Sequence, residues 1–152
     1  MSRPEVLSLR VFGLPVAQAR ARARIFQDRM GQARVSVYDP ANSRDWKRTV
    51  IAQVVERKPP APIGEAPLSM ELTFHLPRPQ SLPKRILYHV KRPDCSNLLK
   101  GVEDALRGIV YRDDSQLVRV TVEKIYSNSP GVEIRVAHVP EPSTAFAKLM
   151  PK

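Results

Sequence analysis

A chain of 152 residues with 42% hydrophobic and 26% charged side chains can bury one ordinary core, which excludes wholesale disorder. Twenty-five Lys and Arg oppose 15 Asp and Glu, a formal net charge of +10, and Arg outnumbers Lys 17 to 8. That balance suits a polyanion, nucleic acid first and an anionic membrane surface second, because a guanidinium grips phosphate through two parallel hydrogen bonds.

One cysteine, Cys95, excludes an internal disulfide and a zinc finger and fits a reducing cytoplasm. Charges at Arg3, Glu5 and Arg10 interrupt any apolar leader, and no later stretch reaches the ~20 apolar residues that span a bilayer. A soluble, cytoplasmic protein with no membrane partner is expected.

Residues 5–12, EVLSLRVF, alternate as a strand that Gly13 to Pro15 ends. In the following PVAQARARARIF, an extended backbone puts Arg20, Arg22 and Arg24 on one side, as a phosphate-tracking arm or a solvated edge strand. RVSVY, 34–38, reads as a short strand. Asp39 or Ser43 then caps a helix to about Arg57, with Trp46, Val50, Ile51 and Val54 at helical spacing. Core packing is the expected role of Trp46 and Tyr38, ahead of stacking on a base.

The proline-rich segment 59–67 is a loop, and SMELTFHLP, 69–77, alternates as a half-buried strand. From Pro77 to Pro93 the chain carries Arg78, Lys84, Arg85, Lys91 and Arg92 without an acid, which predicts a basic, mobile loop. A helix follows from about Ser96 to Arg107, and strands over 116–126 and 131–139 flank SNSP, a hairpin signal. Residues 1–139 therefore form the expected domain, and 140–152 a tail that is disordered or docks. The order of elements predicts a single two-layer α+β domain, a mixed sheet with two main helices on one face.

Five of the 15 acids, Asp94, Glu103, Asp104, Asp113 and Asp114, lie within residues 94–114, directly after the acid-free loop. Carboxylates repel phosphate, so a nucleic-acid binder gathers them chiefly where a divalent cation bridges the two. Solvated salt bridges are the plainer alternative. Around the helix, Leu98, Leu99, Val102, Ala105 and Leu106 span roughly 180° to 300° from Ser96. Ser96, Asn97, Lys100, Glu103, Asp104 and Arg107 take the other side, roughly 340° through 100°. His75, His89 and His138 lack metal-ligand spacing, and Cys95, beside Asp94, reads as a lone buried thiol ahead of a ligand for a soft metal.

The stretch RPDCSNLLKGVEDALRGIVYRDDSQLV, 92–118, resembles the central motif of the RusA family of Holliday junction resolvases. Asp94, Asn97, Leu98, Lys100, the run Asp104 to Leu106 and the run Asp113 to Gln116 follow the family pattern in order. Weaker likeness extends from about Val11 to Tyr126. The resemblance implies a magnesium-dependent endonuclease, with manganese an acceptable substitute, acting as a homodimer on opposing strands of four-way junction DNA. It implies that Asp94 and Asp114 ligate the metal and Lys100 stabilises the phosphate or leaving oxygen. Asn97, Ser96 and Asp113 would support them, Asp113 as an acceptor or simply as a turn residue. Arg20, Arg22, Arg24, Lys84, Arg85, Lys91 and Arg92 would hold DNA.

Ser96 stands where the family has a second aspartate. Serine is a poor magnesium ligand and a good helix cap, so capping is its expected role. Glu103, seven residues on and within ~20° around the axis, is a candidate replacement carboxylate; an ordinary salt bridge to Arg107 is its rival. Two rival functions follow: junction binding with weakened catalysis, and cleavage of other branched DNA.

Overall fold

The computed structural model describes residues 4–18, 22–38, 41–143 and 148–151. In chain order it has β1 (Glu5–Phe12), β2 (Arg22–Gln27), β3 (Ala33–Tyr38), α1 (Ala41–Val54) and β4 (Leu68–Pro77). α2 (Cys95–Leu106), a 3-10 turn (Asp114–Gln116), β5 (Leu117–Ser127) and β6 (Gly131–His138) complete it. The architecture is the expected α+β one, with a mixed sheet and two helices.

Four strands form the sheet in the order β1-β6-β4-β5, β4 parallel to β5 and antiparallel to β6. Register aligns Leu7, Val136, Met70 and Val120 in one row and Leu9, Ile134, Leu72 and Val122 in the next. On this face pack Trp46, Val50 and Val54 of α1 and Leu98, Val102 and Leu106 of α2, all buried. Alternation leaves Ser8, Arg135, Glu71 and Thr121 on the opposite, polar face, where Arg135 lies 3.5 Å from Glu5 and 3.9 Å from Glu71.

Three expectations change. β5 and β6 are not a hairpin: β4 lies between them, and the link after Ser127 steps across its end. Strand spacing of about 4.8 Å makes that a step of about 10 Å, which three extended residues span. Central placement also explains why β4 is more than half-buried, with Ser69 and His75 buried on its polar side. His75 Nε2 meets Glu133 at 2.8 Å. Finally, α1 ends at Val54 in a short turn, and Ser43, inside the helix, donates from Oγ to Ala17 O at 3.3 Å instead of capping. Asp39 lies outside the described residues.

The basic segment 78–93 is fastened, contrary to the expected mobile loop. His89 N donates to Lys124 O at 3.1 Å, Tyr126 N to Leu87 O at 2.8 Å, and Lys124 Nζ to the carbonyls of Lys91 and Pro93 at 2.7 and 2.8 Å. The outer edge of β5 offers unpaired backbone groups, and this segment takes them. The His89 ring sits 4.7 Å from that of Tyr126, where burial first and the Lys124 charge second lower its pKa below the usual 6.5.

For a group lowered in this way, the unfolded chain takes up the proton at higher pH than the folded one. Its stability contribution is full above 6.5 and is lost as the pH falls from there through the lower folded value. Thermal unfolding between pH 7 and 5 is expected to show a smaller fall in Tm for His89→Gln than for the wild type; equal falls would remove this histidine from the acid sensitivity.

Among the described residues no helix is long and apolar enough to cross a membrane. Residues 140–143 and 148–151 form no helix or strand.

Candidate active site

α2 delivers the site. Leu98, Gly101, Val102, Ala105 and Leu106 are buried, so the face carrying Ser96, Asn97, Lys100, Glu103 and Asp104 must point away from the sheet. The helix begins at Cys95, with Asp94 in the cap position, extended at φ −73 and ψ 146. Ser96 is therefore the second helical residue and not the cap. Asp94 makes no side-chain capping bond, and its exposed residue shares a cleft with Ala17, Arg92, Pro93 and Asn97. Cys95 is only partly buried, where a buried thiol is expected, because it opens the first turn of α2.

Lys100 Nζ lies 3.2 Å from Asp104 Oδ1 one turn on. This hydrogen bond, then the charges of Asp104, Asp114 and Glu103, raise the lysine pKa above its usual 10.5, so it remains an ammonium. Arg107 turns away from Glu103: at the helix end its backbone becomes extended, φ −61 and ψ 130, and its Nη1 lies 3.8 Å from Asp114 Oδ2. The expected Glu103 to Arg107 pair is not what Arg107 makes.

Asp114 arrives on the 3-10 turn that opens β5. Gln116 ties that turn down: its Oε1 accepts from Arg112 N at 3.0 Å and Asp113 N at 2.9 Å, while Nε2 donates to Ile63 O at 3.0 Å and Ala66 O at 3.2 Å. Asp113 is the turn residue, its Oδ2 accepting from Ser115 Oγ at 2.9 Å. Gln116→Ala takes the amide's partner from Asp113 N and Ala66 O, while Arg112 N and Ile63 O keep each other, and is expected to cost about 1–3 kcal/mol of stability, read by urea denaturation. A loss within 0.3 kcal/mol would mean that this amide does not hold the turn.

Around Asp114 the environment is half-buried and anionic. Asp114 Oδ1 is buried and has no hydrogen-bond partner among the described residues. Tyr111, fully buried, donates its hydroxyl to Glu103 O at 3.2 Å and also lies against the Asp114 carboxylate; burial, then the Asp114 charge, push its pKa up. Glu103 has its pKa raised by burial first and by Asp114 second, which puts these two carboxylates within reach of one field.

Two neighbouring carboxylates, one with an orphaned buried oxygen, fit a hard divalent cation, which takes oxygen ligands and keeps several waters. Among the described residues no group of three or more His, Cys, Asp or Glu is placed to hold a metal ion. Asp94 stands nine residues before Glu103, about 14 Å of helical rise away. The structure thus brings Lys100, Glu103, Asp104 and Asp114 together, and Asp94 and Asn97 line a cleft at the start of α2.

Arg24 on β2 and Lys84, Arg85, Lys91 and Arg92 are exposed. Arg22 lies in β2, and Arg20 falls outside the described residues. Sequence reasoning gave Tyr111 no role, named Gln116 only as part of the motif and paired Arg107 with Glu103; their actual contacts are ones that spacing does not reveal.

An α+β domain that gathers carboxylates and a lysine on one helix, beside an acid-free basic rim, has the layout of a nuclease. The model of the family Endodeoxyribonuclease RusA matches residues 13–137, and the chain belongs to that family. It is 37% identical over 145 residues to the uncharacterized protein YqaN of Bacillus subtilis (strain 168), covering 89% of this chain and 98% of that one. It is 27% identical over 111 residues to the crossover junction endodeoxyribonuclease rusA of Lactococcus phage r1t, covering 71% and 82%.

Proposed function

We propose that the chain is a divalent-metal-dependent endonuclease that cuts phosphodiester bonds in four-way junction DNA during recombination or repair. The observation that carries this reading is the grouping of Glu103 and Asp114, with the orphaned Asp114 Oδ1, beside the permanently charged Lys100. Glu103 and Asp114 hold the cation, magnesium by preference and manganese as a substitute. Glu103 thereby replaces the carboxylate that Ser96 lacks, and Asn97 orients the substrate from the first turn of α2. When bound, the cation lowers the pKa of a water and neutralises charge on the phosphate.

The chain's own groups do the rest. Lys100, held by Asp104 at 3.2 Å, presents a positive charge where the leaving oxygen becomes negative. Arg107, 3.8 Å from Asp114, adds a guanidinium at the other side of the carboxylates. Lys84, Arg85, Lys91 and Arg92 follow the DNA backbone toward the helix that carries the site. Two opposed nicks need two sites, so the active form is a homodimer whose twofold axis matches that of the junction.

The test is nicking of a labelled four-way junction by the full chain in magnesium, in manganese and in EDTA, with linear duplex and flap substrates beside it. Paired cuts in opposing strands of the junction, abolished by EDTA, are the expected result. Metal-independent binding without cuts would make the chain a junction binder, and preferential cutting of flaps would move its substrate to other branched DNA.

A further inference from the structure

β2 and β3 pair from Arg22 opposite Tyr38 to Gln27 opposite Ala33 and form a two-stranded sheet separate from the main one. A lone ribbon of this kind is marginal in water, yet Phe26, Ile25 and Val35 are 43%, 76% and 65% exposed. Alternation sorts its sides: Arg24, Phe26 and Arg34 share one face, and Ile25 opposite Val35 the other.

The tip is built to stay shaped. Asp28 accepts hydrogen bonds from Met30 N at 2.8 Å, Gln32 N at 3.0 Å and Arg34 Nε at 3.0 Å, and the Gln32 and Arg34 donors in that order hold its pKa below the carboxylate value. The one acid within residues 22–38 is thus satisfied inside the turn, while Arg24 and Arg29 are exposed. The base is fixed as well: Gln18 N donates to Asn97 O at 3.0 Å and Ser43 Oγ to Ala17 O at 3.3 Å. The strap feeding the ribbon is therefore fastened to the first turn of α2, at the end that carries Asp94.

We infer that the β2–β3 ribbon is an arm that enters the major groove of a DNA duplex on the side of the site where α2 begins, its Arg24, Phe26 and Arg34 face toward the base edges. The inference rests on reading the chain as a DNA endonuclease and adds the element that seats the duplex. Charge selects the occupant, since the exposed ribbon carries arginines and no free acid. Shape agrees, because a two-stranded ribbon fits a groove about 12 Å wide. Guanidinium groups pair with guanine N7 and O6, and a phenylalanine covers a thymine methyl.

The experiment uses the full chain in EDTA with a four-way junction, comparing wild type, Arg24→Ala, Phe26→Ala and, as a control outside the ribbon, Arg57→Ala. Methylation at guanine N7 reports occupancy of the major groove, and titrations report affinity. Wild type and control are expected to protect guanines in one duplex arm, and the two ribbon variants to lose that protection with about tenfold weaker binding. No protection by the wild type, or protection and affinity unchanged in both ribbon variants, would overturn the arm. Failure of the nuclease reading looks different: no nicking in any divalent cation, with N7 protection still lost in the ribbon variants.

Discussion

Asp114→Asn is expected to slow nicking of a four-way junction by on the order of 10²–10³-fold while junction affinity stays within about twofold. The substitution keeps the side-chain shape and removes the charge of a carboxylate whose Oδ1 is buried without a hydrogen-bond partner among the described residues. Glu103→Gln is expected to act the same way. Divalent-cation titration supplies a reading independent of catalysis: both variants should lose at least tenfold in magnesium and manganese affinity.

Stability gives a third reading. Half-buried Glu103 beside Asp114 has its pKa raised, so above the usual carboxylate value of 4.5 its ionisation works against the metal-free fold. Metal-free Glu103→Gln should therefore unfold at higher temperature than wild type at pH 7, and magnesium should raise the wild-type Tm but not that of the variant. If Glu103→Gln nicks like wild type and Asp94→Asn does not, the cation lies at the start of α2 instead.

Gly131→Ala is expected to destabilise the fold by about 2–4 kcal/mol, lowering Tm by roughly 10 °C. Gly131 opens β6 between β1 and β4, opposite Phe12 and His75. A Cβ there would meet the carbonyl oxygen and carbon of Val11, with Cα of Phe12 3.4 Å away. All three are backbone atoms of a paired strand and cannot swing aside. Thermal and urea unfolding check this; a variant within 0.5 kcal/mol of wild type would show that β1 yields at its end. By contrast Gly108, with φ +82, has open space around its Cβ position, so Gly108→Ala meets a backbone penalty and no clash.

Elements dominated by local periodicity were legible from the residues. β1 spans Glu5–Phe12 as alternation indicates, and α2 buries Leu98, Val102, Ala105 and Leu106 on the face that the 100° rotation assigns to the core. The hairpin signal of SNSP misled because it describes a turn, whereas strand neighbours are chosen by the apolar row that β4 completes between β5 and β6. Ser96 has the chemistry of a helix cap, but the chain is already helical at Cys95. The acid-free run 78–93 looked mobile because its anchors, the carbonyls and amides of β5, are 30 and more residues away.

Composition, the order of local elements and the motif over residues 92–118 determined by themselves the α+β class, the polyanionic partner and the family, because each depends on residue type and short spacing. Tertiary structure alone decided which charges meet. It set Lys100 on Asp104, turned Arg107 from Glu103 toward Asp114, and put Glu103 in the field of Asp114. The physical reason is that electrostatic partnership depends on distance and burial through space, and both are fixed only when α2 and the turn before β5 pack on the same core.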